Sequence, residues 1–207
     1  MILKKLAGLF ILLIISCSKK VERDVISVPA KSELKILEAQ TNFPISGATV
    51  NLQKCTKPDW VFGCTAYITI ATYSTGITGT YSFPSSLIVD RIIVTHPKYW
   101  PARSDRLTHI SLNPDAWAKV NLNNVNSYPP GYKVRVGKIF YSPYYSGNKV
   151  TVDANVDTTI YVRCFGLSEN MISWQILNNV GTTTPVEGTT ASIYINKFDT
   201  VTVTIDY

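Results

Sequence analysis

From Glu33 onward the chain alternates apolar and polar side chains with a period of two, and no window carries the apolar stripe of a helix. Ala48, Val50 and Leu52 alternate with Thr49, Asn51 and Gln53; Ala118, Val120 and Leu122 alternate with Lys119, Asn121 and Asn123. Successive side chains of a strand point to opposite faces, so each run lays one face on a core and leaves the other in water. Antiparallel sheets read this way, whereas parallel strands are buried on both faces and read as unbroken apolar runs. The one helical candidate, around Asn113 to Lys119, opens with Asn-Pro-Asp but passes into alternation within a turn. Gly47, Gly63, Gly76, Gly79, Pro84, Pro97 and Pro101 punctuate the runs, as many short strands joined by turns require. The expected fold class is all-β, built from small antiparallel β-sandwich modules.

A polar, proline-rich passage from Asn123 to Gly131 reads as a boundary. Alternation resumes beyond it with Val134 and Val136, then Val150, Val152, Ala154 and Val156. Ile172, Trp174 and Ile176 share one face; Ala191, Ile193 and Ile195 share another; Val201, Val203 and Ile205 alternate with threonines. Two sandwiches are therefore expected, over residues 33–123 and 132–207, the second with about six strands; the alternative is that those strands extend the first sandwich.

The first residues read as an address. Lys4 and Lys5 precede an apolar run, Leu6 to Ile15, that is too short to span a bilayer, and Ile14-Ile15-Ser16 leads into Cys17. This stretch resembles the lipobox of bacterial lipoproteins. The resemblance implies removal of residues 1–16, lipidation of Cys17, and a tether over 17–32 that is rich in Ser, Lys, Glu, Arg and Asp and broken by Pro29. A membrane partner through the lipid anchor follows. Ser18 after the cysteine, in place of an aspartate, points to the outer membrane. Without an acidic run behind it, a periplasm-facing position is expected.

Charge narrows the partners. The chain holds 20 Lys and Arg against 14 Asp and Glu, and loss of Lys4 and Lys5 with the leader cuts the excess to four. The basic residues are spread along the chain apart from Lys19, Lys20 and Arg23 beside the expected anchor, which speaks against a nucleic-acid partner.

Export implies an oxidising compartment. Cys55 and Cys64 bracket a loop holding Pro58, Asp59 and Gly63, and each borders a strand pattern, so a hairpin can bring them within bonding distance. Closing such a loop contributes on the order of 2 to 3 kcal/mol. Two unpaired thiols are the alternative. Cys164 shares a strand face with Ile160 and Val162 and reads as a small buried hydrophobe.

The first block has a more specific pattern. Pro44-Ile45-Ser46-Gly47-Ala48-Thr49-Val50-Asn51-Leu52, then Thr75-Gly76-Ile77-Thr78-Gly79-Thr80-Tyr81-Ser82-Phe83, then Ile92-Ile93-Val94 running to Tyr99, resembles the carboxypeptidase regulatory-like (transthyretin-like) domain. The resemblance covers about residues 33–123 and implies a noncatalytic sandwich; it brings no catalytic or ligand residues. Gly76 stands where the family usually has an acidic residue, and Lys98-Tyr99 stands for its Gly-Tyr pair. The second block carries no such resemblance.

Chemistry-bearing patterns are few. Only two histidines occur, His96 and His109. Ser104, Asp105 and His109 can be written as a triad, but no nucleophile elbow or oxyanion hole frames them, and no catalytic residue is expected. Asp153, Asn155 and Asp157 begin like a calcium loop but lack its glycine and closing glutamate, so they are a weak metal candidate beside the reading as a solvated strand face. No cofactor is expected. The positive hint is aromatic: Trp60 and Phe62 in the bracketed loop, Tyr99 and Trp100 past a strand, and Tyr141, Tyr144 and Tyr145 around a proline turn. Rings on loops at the ends of a sandwich stack on sugars, pack against proteins, or plug the core. The sequence thus points to a lipid-anchored, noncatalytic binding or scaffolding element whose partner is another envelope protein or a glycan. A hydrolase is the weakest alternative.

Overall fold

Every regular element among the described residues is a strand. The computed structural model describes residues 31–105, 108–139, 149–178, 187–189 and 192–207. Cys17 and the leader lie outside them, as do Tyr141, Tyr144 and Tyr145. All the strands belong to one compact unit, Lys31–Tyr207.

The first half contains β1 (Lys31–Glu38), β2 (Thr49–Asp59), β3 (Gly63–Ser74), β4 (Thr80–Pro84), β5 (Arg91–His96), β6 (Tyr99–Ser104) and β7 (His109–Leu112). These form a three-stranded sheet, β4-β1-β7, and a four-stranded antiparallel sheet, β3-β2-β5-β6. β1 runs antiparallel to β4 and parallel to β7. Leu34 and Ile36 of the smaller sheet share a core with Val50, Leu52, Ile92 and Val94 of the larger one. β1 starts at Lys31, so the sandwich takes in the last residues expected of the tether.

Gly79 turns the chain into β4 with φ of +66°, and a Cβ there would stand 2.7 Å from the Ile36 carbonyl oxygen. Both constraints call for glycine. The turn sets Tyr81 and Phe83 on one side, their rings stacked at 6.3 Å, with Tyr73 of β3 at 4.0 Å from Tyr81.

The second half contains β8 (Asp115–Asn123), β9 (Lys133–Lys138), β10 (Lys149–Asp153), β11 (Thr158–Phe165), β12 (Ser168–Asn170), β13 (Ile172–Leu177), β14 (Glu187–Thr189), β15 (Ile193–Ile195) and β16 (Thr200–Asp206). Its sheets are β11-β8-β16 and β10-β9-β13-β14, with a separate β12-β15 pair. β8 runs antiparallel to β11 and parallel to β16. The chain therefore traces the same path twice: β8 repeats β1, β9 repeats β2, β10 repeats β3, β11 repeats β4, β13 and β14 repeat β5 and β6, and β16 repeats β7. Among the described residues only β12 and β15 are additions.

This duplication moves the expected boundary. The strand with Ala116, Ala118, Val120 and Leu122, read from sequence as the end of the first module, opens the second half and buries those residues in the second core. Alternation states that a strand has a buried face but not which core it faces. The proline-rich passage after Asn123 is the β8–β9 connection within one half. The halves meet instead between β7 and β8, at Asn113 and Pro114.

A second correction concerns residues 150–157, read as one continuous strand. β10 stops at Asp153 and residues 154–157 turn, leaving Ala154 buried and Val156 exposed. The Asp153 Oδ1 accepts the Asn155 N–H at 2.8 Å, and this local bond competes with the sheet ladder.

Candidate functional site

β2 and β3 run past the body of the first sandwich as a long hairpin. Three register shifts interrupt their pairing, between Leu52 and Gln53, Cys55 and Lys57, and Lys57 and Pro58. Each irregularity weakens the ladder and increases the twist. A disulfide joins Cys55 to Cys64 across this weakened stretch, with Cα atoms 5.9 Å apart. Beyond it, the Asp59 Oδ1 accepts the amide N–H groups of Val61 at 2.8 Å and Phe62 at 2.9 Å. These two bonds hold the Asp59 carboxyl below its ordinary range.

The result is a turn constrained from both sides that carries Trp60, Val61 and Phe62 into solvent. Trp60 is 96% exposed and Phe62 80%. An indole held in water with no packing partner is the anomaly on this surface, because aromatic side chains carry the largest apolar area to be gained by burial. Cationic side chains stand behind the tip. Lys54 and Lys57 are exposed on β2, and the Arg91 guanidinium lies 3.4 Å from the centroid of the Tyr67 ring, with that of Arg103 at 5.8 Å. Burial, followed by the nearby Arg103 charge, lowers the Arg91 pKa. Asp90, next to Arg91, is turned onto the hairpin, its Oδ2 accepting the Cys55 N–H at 2.8 Å.

The other expected aromatics serve a different purpose. Tyr99 and Trp100 lie where the halves meet. Trp100 is buried, donates from Nε1 to the Cys164 carbonyl at 2.9 Å, and meets the Phe165 ring edge-on at 5.1 Å. Arg163 crosses above it at 4.4 Å and bonds both Asp115 oxygens, Nε to Oδ1 at 2.8 Å and Nη2 to Oδ2 at 2.7 Å. Burial raises the Asp115 pKa in spite of that cation. Tyr99 donates from its hydroxyl to Glu38 Oε2 at 2.9 Å, and its ring meets Phe198 edge-on at 5.6 Å. Burial, then the bond to Glu38 and its charge, raises the Tyr99 pKa. Trp100 is buried and Tyr99 half-buried, and both rings are engaged in contacts where the halves meet.

Two buried charged groups were missed in the sequence, and alternation could have found both. Glu38 follows Leu34 and Ile36 on the inward face of β1, and Lys138 follows Val134 and Val136 on the inward face of β9. Burial alone would raise the Glu38 pKa, but hydrogen bonds from Thr41, Lys197 and Tyr99 outweigh it and lower the value. Lys138 packs its ammonium 3.4 Å from the centroid of Phe165, and burial pushes its pKa down to about 8. Cys164 is fully buried beside it, its thiol pushed up to about 11 by burial.

The remaining candidates are not assembled into sites. No hydrogen bond joins Asp105 to His109, whose Nδ1 lies 3.4 Å from the neighbouring Thr108 hydroxyl. His96 accepts the Lys98 N–H at 3.2 Å, and burial, followed by the Lys98 charge, lowers its pKa. The Asp153, Asn155 and Asp157 side chains are each turned to a backbone amide. Asn155 Oδ1 accepts the Tyr128 N–H at 3.1 Å and Asp157 Oδ1 the Asn124 N–H at 2.7 Å, so with Asp153 they pin three stretches of backbone. Among the described residues no group of three His, Cys, Asp or Glu side chains is placed to hold a metal ion.

No family model matches the chain, and no curated protein matches it. Among solved structures it is similar to GBS52, the minor pilin in the gram-positive pathogen Streptococcus agalactiae, at 13% identity over 85% of this chain and 94% of that one, with a TM-score of 0.33. It is similar to a streptococcal ancillary pilin at 15% identity over 87% of its own length, with a TM-score of 0.38, and spans 63% of that pilin. A DUF3823 family protein from Bacteroides uniformis is similar at 8% identity over 81% of this chain and 99% of that one, with a TM-score of 0.29. The fold class itself rests on the strands described above.

Proposed function

We propose that this chain is a noncatalytic binding element of the bacterial cell envelope, anchored by lipid on Cys17 and making contact through the Trp60-Val61-Phe62 tip. The observation that carries this reading is a braced turn that holds two aromatic rings in water. A disulfide and an aspartate-capped turn remove the ordering cost that a flexible loop would incur on binding. The paired halves supply a stiff mount, with Trp100, Arg163 and Glu38 each bonding across the junction between the cores. The buried Glu38 and the half-buried Asp115 are engaged by Lys197 and Arg163, which supports a structural role for them over acid–base chemistry. The first half is read as a carboxypeptidase regulatory-like sandwich, on the motifs quoted above and its three-plus-four strand path.

Two measurements test this. Mass spectrometry of the native protein is expected to find an acylated peptide beginning at Cys17; an unmodified cysteine, or a chain beginning upstream of it, overturns the anchor. A photoreactive residue at position 60 in living cells is expected to give a recurrent adduct that the same residue at position 88, also exposed, does not give. No adduct overturns the contact site.

Glycan binding is the second reading, favoured by the exposed indole of Trp60 alone, because Tyr99 and Trp100 face inward. Binding on a glycan panel that disappears in Trp60→Ala would support it.

A further inference from the structure

We propose that the stapled hairpin tip docks in the headgroup layer of an anionic lipid surface, with the Trp60, Val61 and Phe62 side chains entering and the cations behind them meeting the lipid phosphates. This deepens the preceding proposal and rests on it, since it names the occupant of the same tip.

The order of groups along the ribbon carries the inference. Three contiguous apolar side chains occupy the extreme end of the hairpin. Lys57 lies three positions behind Trp60, or roughly 10 Å at the rise of a strand, and Lys54 about as far again. Arg91 and Arg103 flank Tyr67 beyond the disulfide. A bilayer presents the complementary sequence from inside to outside: hydrocarbon, an interfacial layer of several ångströms that favours indole rings, then anionic phosphate. Lysines on flexible stems reach back to that outer layer. Two carboxylates of this region, Asp59 and Asp90, are directed onto the hairpin's own amides and are outnumbered by the four cations Lys54, Lys57, Arg91 and Arg103. The tip is also convex. A sugar site needs polar side chains converging beside the ring to bond hydroxyls, and Asp59, which precedes Trp60 in the chain, uses its Oδ1 to hold the turn.

The test uses the full chain reconstituted into vesicles whose acyl chains carry bromine, a quencher of indole fluorescence. One set is phosphatidylcholine alone and the other contains phosphatidylglycerol. The Trp60 signal is the difference between the wild type and Trp60→Phe, which keeps an aromatic ring at the tip. Expected is quenching of that difference signal in phosphatidylglycerol vesicles, weaker quenching in pure phosphatidylcholine, and its loss in the Lys54→Glu/Lys57→Glu double variant. Equal quenching in both vesicle types, or none in either, overturns the proposal. If Trp60 stays unquenched while the photoreactive residue at position 60 captures a protein in cells, the lipid assignment falls and the contact site stands. If neither occurs, both fall.

Discussion

Lys197 places its ammonium 3.0 Å from Oε1 of Glu38, joining residues 159 positions apart. Glu38 ends the first strand of the first half, and Lys197 precedes the last strand of the second, so one ion pair spans the two cores. The Glu38 side chain is 2% exposed and that of Lys197 40%. One partner is therefore desolvated and the other wet. The Thr41 and Tyr99 hydroxyls complete the carboxylate's shell at 2.8 and 2.9 Å.

Removing the two partners should have unequal effects. Glu38→Ala leaves a half-buried tyrosine hydroxyl and a half-exposed ammonium without their acceptor and is expected to cost about 1 to 2 kcal/mol of unfolding free energy. Lys197→Met leaves the buried Glu38 carboxylate without its counter-ion, held by the Thr41 and Tyr99 hydroxyls alone, and should cost about 3 kcal/mol. Urea titrations of both variants and the double variant check this; simple additivity would show that the pair does not couple the halves.

The same carboxylate sets a pH dependence. Its folded pKa lies below the ordinary value of 4.5, so its stabilisation is present above that pH and is lost as pH falls through the lower folded value. Asp115, whose pKa is raised, contributes with the opposite sign between its ordinary value of 3.8 and its folded one. Comparing the wild type with Glu38→Gln from pH 6 down to about 3 isolates the Glu38 contribution. The two stability curves should converge on acidification; parallel curves would assign the carboxylate no role.

Trp100→Phe keeps an aromatic ring at the junction but withdraws the hydrogen bond to the Cys164 carbonyl, leaving that oxygen buried. A loss of about 1 to 3 kcal/mol is expected, with little change at the hairpin tip. Hydrogen exchange should show faster opening of β8 and β11 before β2 and β3. Uniform acceleration would mean that Trp100 does not act locally at the junction.

Opening the disulfide should loosen the hairpin more than the fold. Cys55→Ala/Cys64→Ala is expected to lower stability by roughly 2 to 3 kcal/mol and to expose the chain near Trp60 to limited proteolysis. Trp60→Ser, at an exposed site, should stay within about 0.5 kcal/mol of the wild type. A large effect of Trp60→Ser on melting would refute its placement in solvent.

The Cys164 thiol, buried and with its pKa near 11, should resist aromatic disulfide reagents at pH 8 in the folded protein. Its labelling rate should rise with urea along the unfolding transition. Fast labelling in buffer would contradict its burial.

The sequence by itself determined the strands, because alternation is a local property: a residue's face follows from its neighbours two positions away. Leu34, Val50, Val120, Val162 and Ile205 are all buried at the positions that pattern assigns. Alternation also set Glu38 and Lys138 on inward faces, although without their partners such charges do not stand out. Where long-range pairing decides, the sequence was silent. The second core claimed β8 because its neighbours are β11 and β16, distant in sequence, and no residue within β8 records that choice. Tyr99 and Trp60 are both loop-side aromatics in sequence. Tertiary structure alone sent one into the junction against Glu38 and Phe198 and left the other in water, because burial depends on which surfaces the remaining chain brings near and not on the side chain's own chemistry.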